Sequence, residues 1–308
     1  MKSTIRPQML AVGTTVLVGW AALGYASPGL GTVLPSSKEV SNTKMLKVEE
    51  RQIPGLVGNV PVRIYTPQGV GGLPVLVYFH GGGFITGDLN TCDTQLRALT
   101  NRIGSIIVAV GYRLAPKHQF PAAPDDAYAA TKWVADHAKE IGGDATRIAI
   151  GGDSAGGNLA AVVTLMAHDR GGPALIYQVL LYPNTDATMS TASWKEFDGY
   201  VLTRHGAASN YMQYLPSGTD RKNPYVSPLW AKDVKNLPPA LVITAGFDPL
   251  RDEGEAYAAH LKQAGVPVVA TRYDGMRHGF FNVVGLDQEV IEQIASALRT
   301  AFGCVDYH

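Results

Sequence analysis

The sequence predicts an α/β fold, a mostly parallel central sheet covered by helices on both faces. Three observations carry this. Short, continuous apolar runs recur along the chain, as strands buried on both faces do. Helix-like patterns fall between those runs, which is the alternation of parallel α/β proteins. Several runs end in glycine or an isolated polar residue, and ligands of parallel sheets bind at those carboxyl ends.

Residues 35–50 are mostly polar. Residues 61–65 alternate like a half-exposed strand. Residues 75–79 (Val-Leu-Val-Tyr-Phe) are continuously apolar, and 106–110, 147–150, 177–181 and 241–244 repeat that signature. Residues 266–273 form the last strand candidate. Helices are expected over 91–103, 124–138, 155–167, 253–263 and 288–301. Pro124 falls in the first turn of the second, where its missing N–H does little harm. The alternation breaks at about 184–225, where Met189, Trp194, Phe197, Tyr200, Tyr211, Met212 and Tyr214 appear instead. This stretch is a candidate lid inserted after a core strand. A structureless loop of that length is unusual, so some helix is expected in it.

Composition excludes several classes. The 308 residues carry 26 Lys+Arg against 26 Asp+Glu and are 46% hydrophobic, unlike a disordered chain. A neutral balance argues against a nucleic-acid partner, which needs a basic surplus. Length alone suggests about two domains, but an α/β fold holds such a chain in one. Cys92 and Cys304 are too few for a disulfide framework or a thiolate zinc site and read as unpaired thiols.

At the N-terminus, Lys2 and Arg6 precede an apolar run from Met9 to about Gly24 that ends in Gly24-Tyr25-Ala26. Charged start, apolar middle and small-residue end are the three parts of a secretory signal. The expectation is cleavage after Ala26 and a secreted or periplasmic protein, against a cytoplasmic or N-terminally anchored alternative. The run is short for a membrane span, so no stable span is expected in the mature form. No Cys lies near Ala26, so a lipoprotein anchor is not indicated.

The chemistry is concentrated in three motifs. Gly152-Asp153-Ser154-Ala155-Gly156 matches G-x-S-x-G between a predicted strand and helix. That context makes a nucleophile elbow, a sharp turn holding the serine at the tip of a sheet before a helix N-terminus. His80-Gly81-Gly82-Gly83 follows the 75–79 strand and exposes backbone N–H groups that would meet a developing oxyanion. It lacks the Lys-Ser/Thr and glycine phase of a phosphate cradle. His80 reads as a brace of this loop rather than a base. Finally, Asp248 and His278 follow the last two predicted strands, in the chain order Ser…Asp…His of α/β-hydrolases. A serine hydroxyl needs a base, and the base needs a carboxylate to fix its tautomer. Asp252, Glu253 and Glu255 are rival carboxylates, expected to cap the helix they begin.

These residues resemble the hormone-sensitive-lipase-like family of α/β-hydrolase esterases over about 48–303. The motifs are His80-Gly-Gly-Gly-Phe84, Tyr112-Arg-Leu-Ala-Pro116, Phe120-Pro-Ala-Ala-Pro-Asp-Asp126, Gly152-Asp-Ser-Ala-Gly-Gly-Asn158, Asp248-Pro-Leu250 and His278-Gly-Phe280. The Gly-Asp-Ser-Ala-Gly form is similar to the bacterial carboxylesterase branch rather than the Gly-Thr-Ser-Ala-Gly branch. The resemblance implies an α/β-hydrolase fold with a helical lid. It implies Ser154 as nucleophile, His278 as general base and Asp248 as its orienting acid. It implies the N–H groups of Gly82, Gly83 and Ala155 as oxyanion donors, with Gly81 shaping the loop. Arg113 would pair with Asp125 or Asp126. No metal or organic cofactor is needed.

Two departures stand out. Lys117 and Gln119 replace the Glu and Pro usual in the family. The polar helical segment that normally begins the family is also largely replaced by the apolar run. The expected organisation is a leader at 1–26 and one hydrolase domain at 27–308, its lid contributed by about 27–47 and 184–225. Loss of the leader would leave a more open acyl pocket. The expected activity is that of a serine carboxylesterase on small-molecule esters of short or medium acyl chains. An amidase or deacetylase on the same triad is the enzymatic alternative, which motifs alone do not separate. A non-catalytic binding protein is disfavoured, because the plant gibberellin receptors that resemble this family lack the histidine present here as His278. The sequence does not choose between a monomer and a homo-oligomer.

Overall fold

The computed structural model describes residues 47–69 and 71–304. The expected leader at 1–26, with its cleavage site, and the expected lid portion at 27–46 lie outside the described residues. Eight strands form one sheet: β1 (Lys47–Pro54), β2 (Asn59–Thr66), β3 (Leu73–Phe79), β4 (Ile106–Val110), β5 (Gly143–Asp153), β6 (Tyr177–Leu181), β7 (Ala240–Phe247) and β8 (Val268–Arg277). Their spatial order is β1-β2-β4-β3-β5-β6-β7-β8. β1–β2 and β2–β4 pair antiparallel, and every pairing from β4 to β8 is parallel.

The apolar runs become central strands because both faces are covered. Successive side chains of a strand point to opposite faces. In β3, Val75, Val77 and Phe79 enter one core, whereas Leu76 and Tyr78 enter the other. The first core is closed by α2 (Ala122–His137), α3 (Ala155–Arg170) and α6 (Arg251–Gln263). The second is closed by α1 (Asp93–Ile103) and α7 (Gln288–Ala301). α7 is a one-faced helix, burying Val290, Ile291, Ile294, Ala295 and Leu298. α3 instead buries every residue from Ala155 to Ala167. A helix apolar all round belongs in the interior, and here it lies behind the serine.

The described structure differs from expectation at β1. Residues 47–50 read as polar because β1 is an edge strand in which Ile53 is the one buried residue. Charged edges of this kind blunt unwanted pairing. The 184–225 stretch contains the helix that its length demands, as α4 (Ser193–Glu196) and α5 (Arg204–Tyr214). Tyr214 of α5 stacks on Phe84 with centroids 4.0 Å apart. The loop carrying Lys117 and Gln119 docks on the same helix: Gln119 Nε2 donates to the Gln213 carbonyl (3.0 Å), and the Phe120 N–H donates to that of Tyr214 (2.8 Å). Cys92 is buried, Cys304 is partly buried, and both are free thiols. Among the described residues no helix is long and apolar enough to cross a membrane.

Arg113 takes Asp126 as its partner. Nε and Nη2 each lie 2.7 Å from a carboxylate oxygen, and the Arg113 N–H adds a third bond at 3.0 Å. Asp126 is fully buried. Arg113→Ala would strand that charge, which typically costs about 3 kcal/mol or more. A loss of that size in the unfolding free energy from urea denaturation, read as a lowered midpoint, is the expected outcome; an unchanged midpoint would show the pair to be dispensable.

Candidate active site

β3, β5, β7 and β8 run parallel, so the loops after them open at one edge of the sheet. Those loops carry His80, Ser154, Asp248 and His278, each the first residue past its strand. Their convergence is a consequence of topology.

Ser154 sits between β5 and α3 with φ 54° and ψ −119°. Such a conformation costs a non-glycine residue about 1–3 kcal/mol and persists only where the surroundings over-determine it. Here the surroundings are backbone. A Cβ on Gly156 would lie 1.9 Å from the Phe79 carbonyl oxygen, and one on Gly152 would lie 2.3 Å from that of Gly156. The two glycines are required by space. The Ser154 N–H donates to the Leu181 carbonyl at 2.8 Å, locking the turn to β6.

The three sequence-predicted polar residues meet in one line. Ser154 Oγ lies 2.9 Å from His278 Nε2, and His278 Nδ1 lies 2.8 Å from Asp248 Oδ2. Asp248 is fully buried, and its Oδ1 accepts the Leu250 N–H at 2.9 Å. The carboxylate thereby fixes the ring so that Nε2 faces the hydroxyl as an acceptor. A hydroxyl so placed can lose its proton as it attacks an electrophile.

The glycine loop lies beside this line. Gly82 has φ 122°, and a Cβ there would meet the Thr86 carbonyl oxygen at 2.2 Å. Among the described residues, the N–H groups of Gly82, Gly83 and Ala155 donate to no protein acceptor. Gly81 is held differently, its N–H donating to Asp153 Oδ1 at 3.0 Å. His80 is buried, stacks on Tyr112 with centroids 4.4 Å apart, and bonds its Nδ1 to the Gly81 carbonyl at 2.7 Å. Burial holds its imidazole below the ordinary histidine range. It braces the loop and does not line the cavity.

That cavity has a volume of about 340 Å³ and is lined by Ser154, His278, the glycine loop and a largely apolar wall including Phe84, Leu202 and Tyr211. Among the described residues there is no cluster of metal-ligating side chains.

Several site residues escape sequence reasoning. Asp153, buried beside the serine, accepts from Tyr78 Oη, the Gly81 N–H and Asn282 Nδ2, all at 3.0 Å. It ties β3, the glycine loop and the turn after His278 to the elbow. Its signal was available, as the x of G-x-S-x-G, but not its partners. Asn184 and Trp194 also line the cavity, and both come from the segment after β6. The rival carboxylates do not cap α6, whose N-terminus has no side-chain cap. Asp252 takes the Ser193 N–H (2.8 Å), and Glu255 pairs with Arg272. Glu253 is fully buried and accepts from the Thr185 N–H and Trp194 Nε1, each at 2.8 Å. They are used to anchor neighbouring segments because their helix begins beneath them.

Comparison with known proteins identifies the family. The model of the alpha/beta hydrolase fold family matches residues 76–282. The chain belongs to the α/β-hydrolase family, in its hormone-sensitive-lipase-like branch. It is 47% identical to carboxylic ester hydrolase LipN of Mycobacterium tuberculosis, over 82% of this chain and 70% of that protein. It is 44% identical to carboxylesterase NlhH of the same species, over 83% of each. A solved esterase of Pyrobaculum calidifontis superposes with a TM-score of 0.80 at 49% identity, covering 82% of this chain and 85% of that one.

Burial pushes Glu253 up from its ordinary 4.5 to about 8. Between those values the unfolded chain binds fewer protons than the folded one, so stability falls as pH rises. Glu253→Gln removes this contribution. Denaturation across about pH 4.5–8 is expected to show a flatter decline in the variant than in the wild type; parallel slopes would contradict the assignment.

Proposed function

We propose that the protein is a serine carboxylesterase that hydrolyses short- to medium-chain acyl esters through an acyl-enzyme. The observation that carries this reading is the 2.9 Å contact of Ser154 Oγ with His278 Nε2, continued at 2.8 Å to Asp248. Membership of a family whose similar members are named ester hydrolases supports ester over amide substrates.

Ser154 Oγ attacks the ester carbonyl carbon while its proton passes to His278 Nε2. Asp248 keeps the ring in the productive tautomer and stabilises the imidazolium. The carbonyl oxygen becomes an oxyanion facing the N–H groups of Gly82, Gly83 and Ala155, which among the described residues have no protein acceptor to give up. The carbon–oxygen bond to the alcohol breaks as His278 returns the proton to the leaving oxygen. Water then attacks the acyl-enzyme, again deprotonated by His278, and the acid departs as Ser154 recovers its proton. The cavity of about 340 Å³ is near the small end for ligand sites, which supports the short to medium acyl range. In this reading α4 and α5 belong to a lid contributed by about 184–225.

Hydrolysis of chromogenic esters by wild type and Ser154→Ala tests the proposal. The expected loss is roughly three orders of magnitude or more, because the three residues act as a unit. Equal turnover by the two proteins would overturn it.

A further inference from the structure

Ser154 Oγ has a second polar neighbour that the proposed mechanism does not use. The side-chain amide of Asn184 lies 3.3 Å away. Asn184 is the third residue past β6, at the same sheet edge that carries Asp248 and His278. It is 8% exposed and lines the cavity.

Its position is strongly specified. The turn that delivers it includes Tyr182 at φ 35°, a second strained non-glycine residue beside Ser154. The Asn184 N–H donates to the Ser154 carbonyl at 3.3 Å, and the Asn184 carbonyl accepts from Asn158 Nδ2 at 2.7 Å. Both ends of its backbone are therefore tied to the elbow and to the helix behind it.

The orientation of the amide decides its role. The structure places Oδ1 toward Ser154 and Nδ2 toward Tyr211 Oη, 3.5 Å away. The two ends have the same shape, so the hydrogen-bond partners must choose between them. His278 Nδ1 faces a carboxylate, which only accepts, so Nδ1 carries the proton and Nε2 is an acceptor. The single Ser154 proton is then committed to Nε2, and any further bond to Oγ needs a donor. On the other side, Tyr211 is buried, and among the described residues the Asn184 amide is the one hydrogen-bond partner of its hydroxyl. A phenol there is satisfied as a donor if it meets a carbonyl oxygen. Both requirements are met by a half-turn of the amide, which moves no other atom.

We propose that Asn184 is a fourth catalytic residue, donating from Nδ2 to Ser154 Oγ while Tyr211 Oη donates to Asn184 Oδ1. A donor on Oγ stabilises the negative charge that grows there as the proton leaves for His278. The same charge returns when Oγ is the leaving group in deacylation, so both steps benefit. The contribution belongs to turnover rather than to substrate binding.

This inference rests on the serine esterase reading, and its test separates the two. Steady-state hydrolysis of a short-chain chromogenic ester is measured for wild type, Asn184→Ala and Asn184→Asp. Asn184→Ala is expected to lower kcat roughly tenfold with KM nearly unchanged, less than the hundredfold or more of a donor on the oxyanion itself. Asn184→Asp keeps the shape and the acceptor but loses the donor, and it is expected to fall below the Ala variant. Wild-type kcat in Asn184→Ala, or an Asp variant as active as wild type, would overturn the donor role. Inactive wild type would instead overturn the esterase reading. Thermal melting checks that each variant folds; if the smaller alanine does not, the nearly isosteric aspartate against wild type decides the matter by itself.

Discussion

The site depends on how closely the backbone after β3 approaches the backbone after β5. Gly156 makes that approach possible: a Cβ there would lie 1.9 Å from the Phe79 carbonyl oxygen and 2.6 Å from that of His80. No side chain fits such a gap. Because the gap is closed, the glycine loop that starts at His80 lies against the turn that holds Ser154. In the proposed reaction that proximity is what lets nucleophile and N–H donors reach one carbonyl group together.

Strain at Ser154 is held by polar tethers rather than by packing alone. Asp153 gathers Tyr78, Gly81 and Asn282 around one buried carboxylate. It joins the strand before the glycine loop, the loop itself and the turn that follows His278. Asp248 performs the corresponding task for the imidazole, and Asn158 for the segment after β6, through the Asn184 and Val226 carbonyls. Hydrogen bonds to buried carboxylates such as Asp153 and Asp248 favour one arrangement, because any alternative leaves a desolvated charge unpaired. A strained elbow can therefore remain the ground state.

Much of this was legible from the residues. Central strands such as β4 and β6 announce themselves because both their faces are covered, and burial on both faces leaves an unbroken apolar run. The topology then forces Ser154, Asp248 and His278 to one edge, so their order along the chain carried spatial information. β1 was hidden for the opposite reason, since an edge strand with one buried residue has almost no pattern to read. Glu253 looked like a helix cap because its partners Thr185 and Trp194 are far away in sequence. Asn184 was invisible because its contact with Ser154 arises from one strained backbone angle at Tyr182, which no periodicity encodes.

In the proposed reaction one hydroxyl, Ser154 Oγ, is made nucleophilic by its place in this turn. Incubation with a fluorophosphonate, followed by mass spectrometry of the digested protein, addresses that hydroxyl directly. The prediction is one adduct per chain, on Ser154, formed in step with the loss of ester hydrolysis. Hydrolysis that persists with Ser154 fully modified, or an adduct on another serine that accompanies the loss of activity, would contradict it.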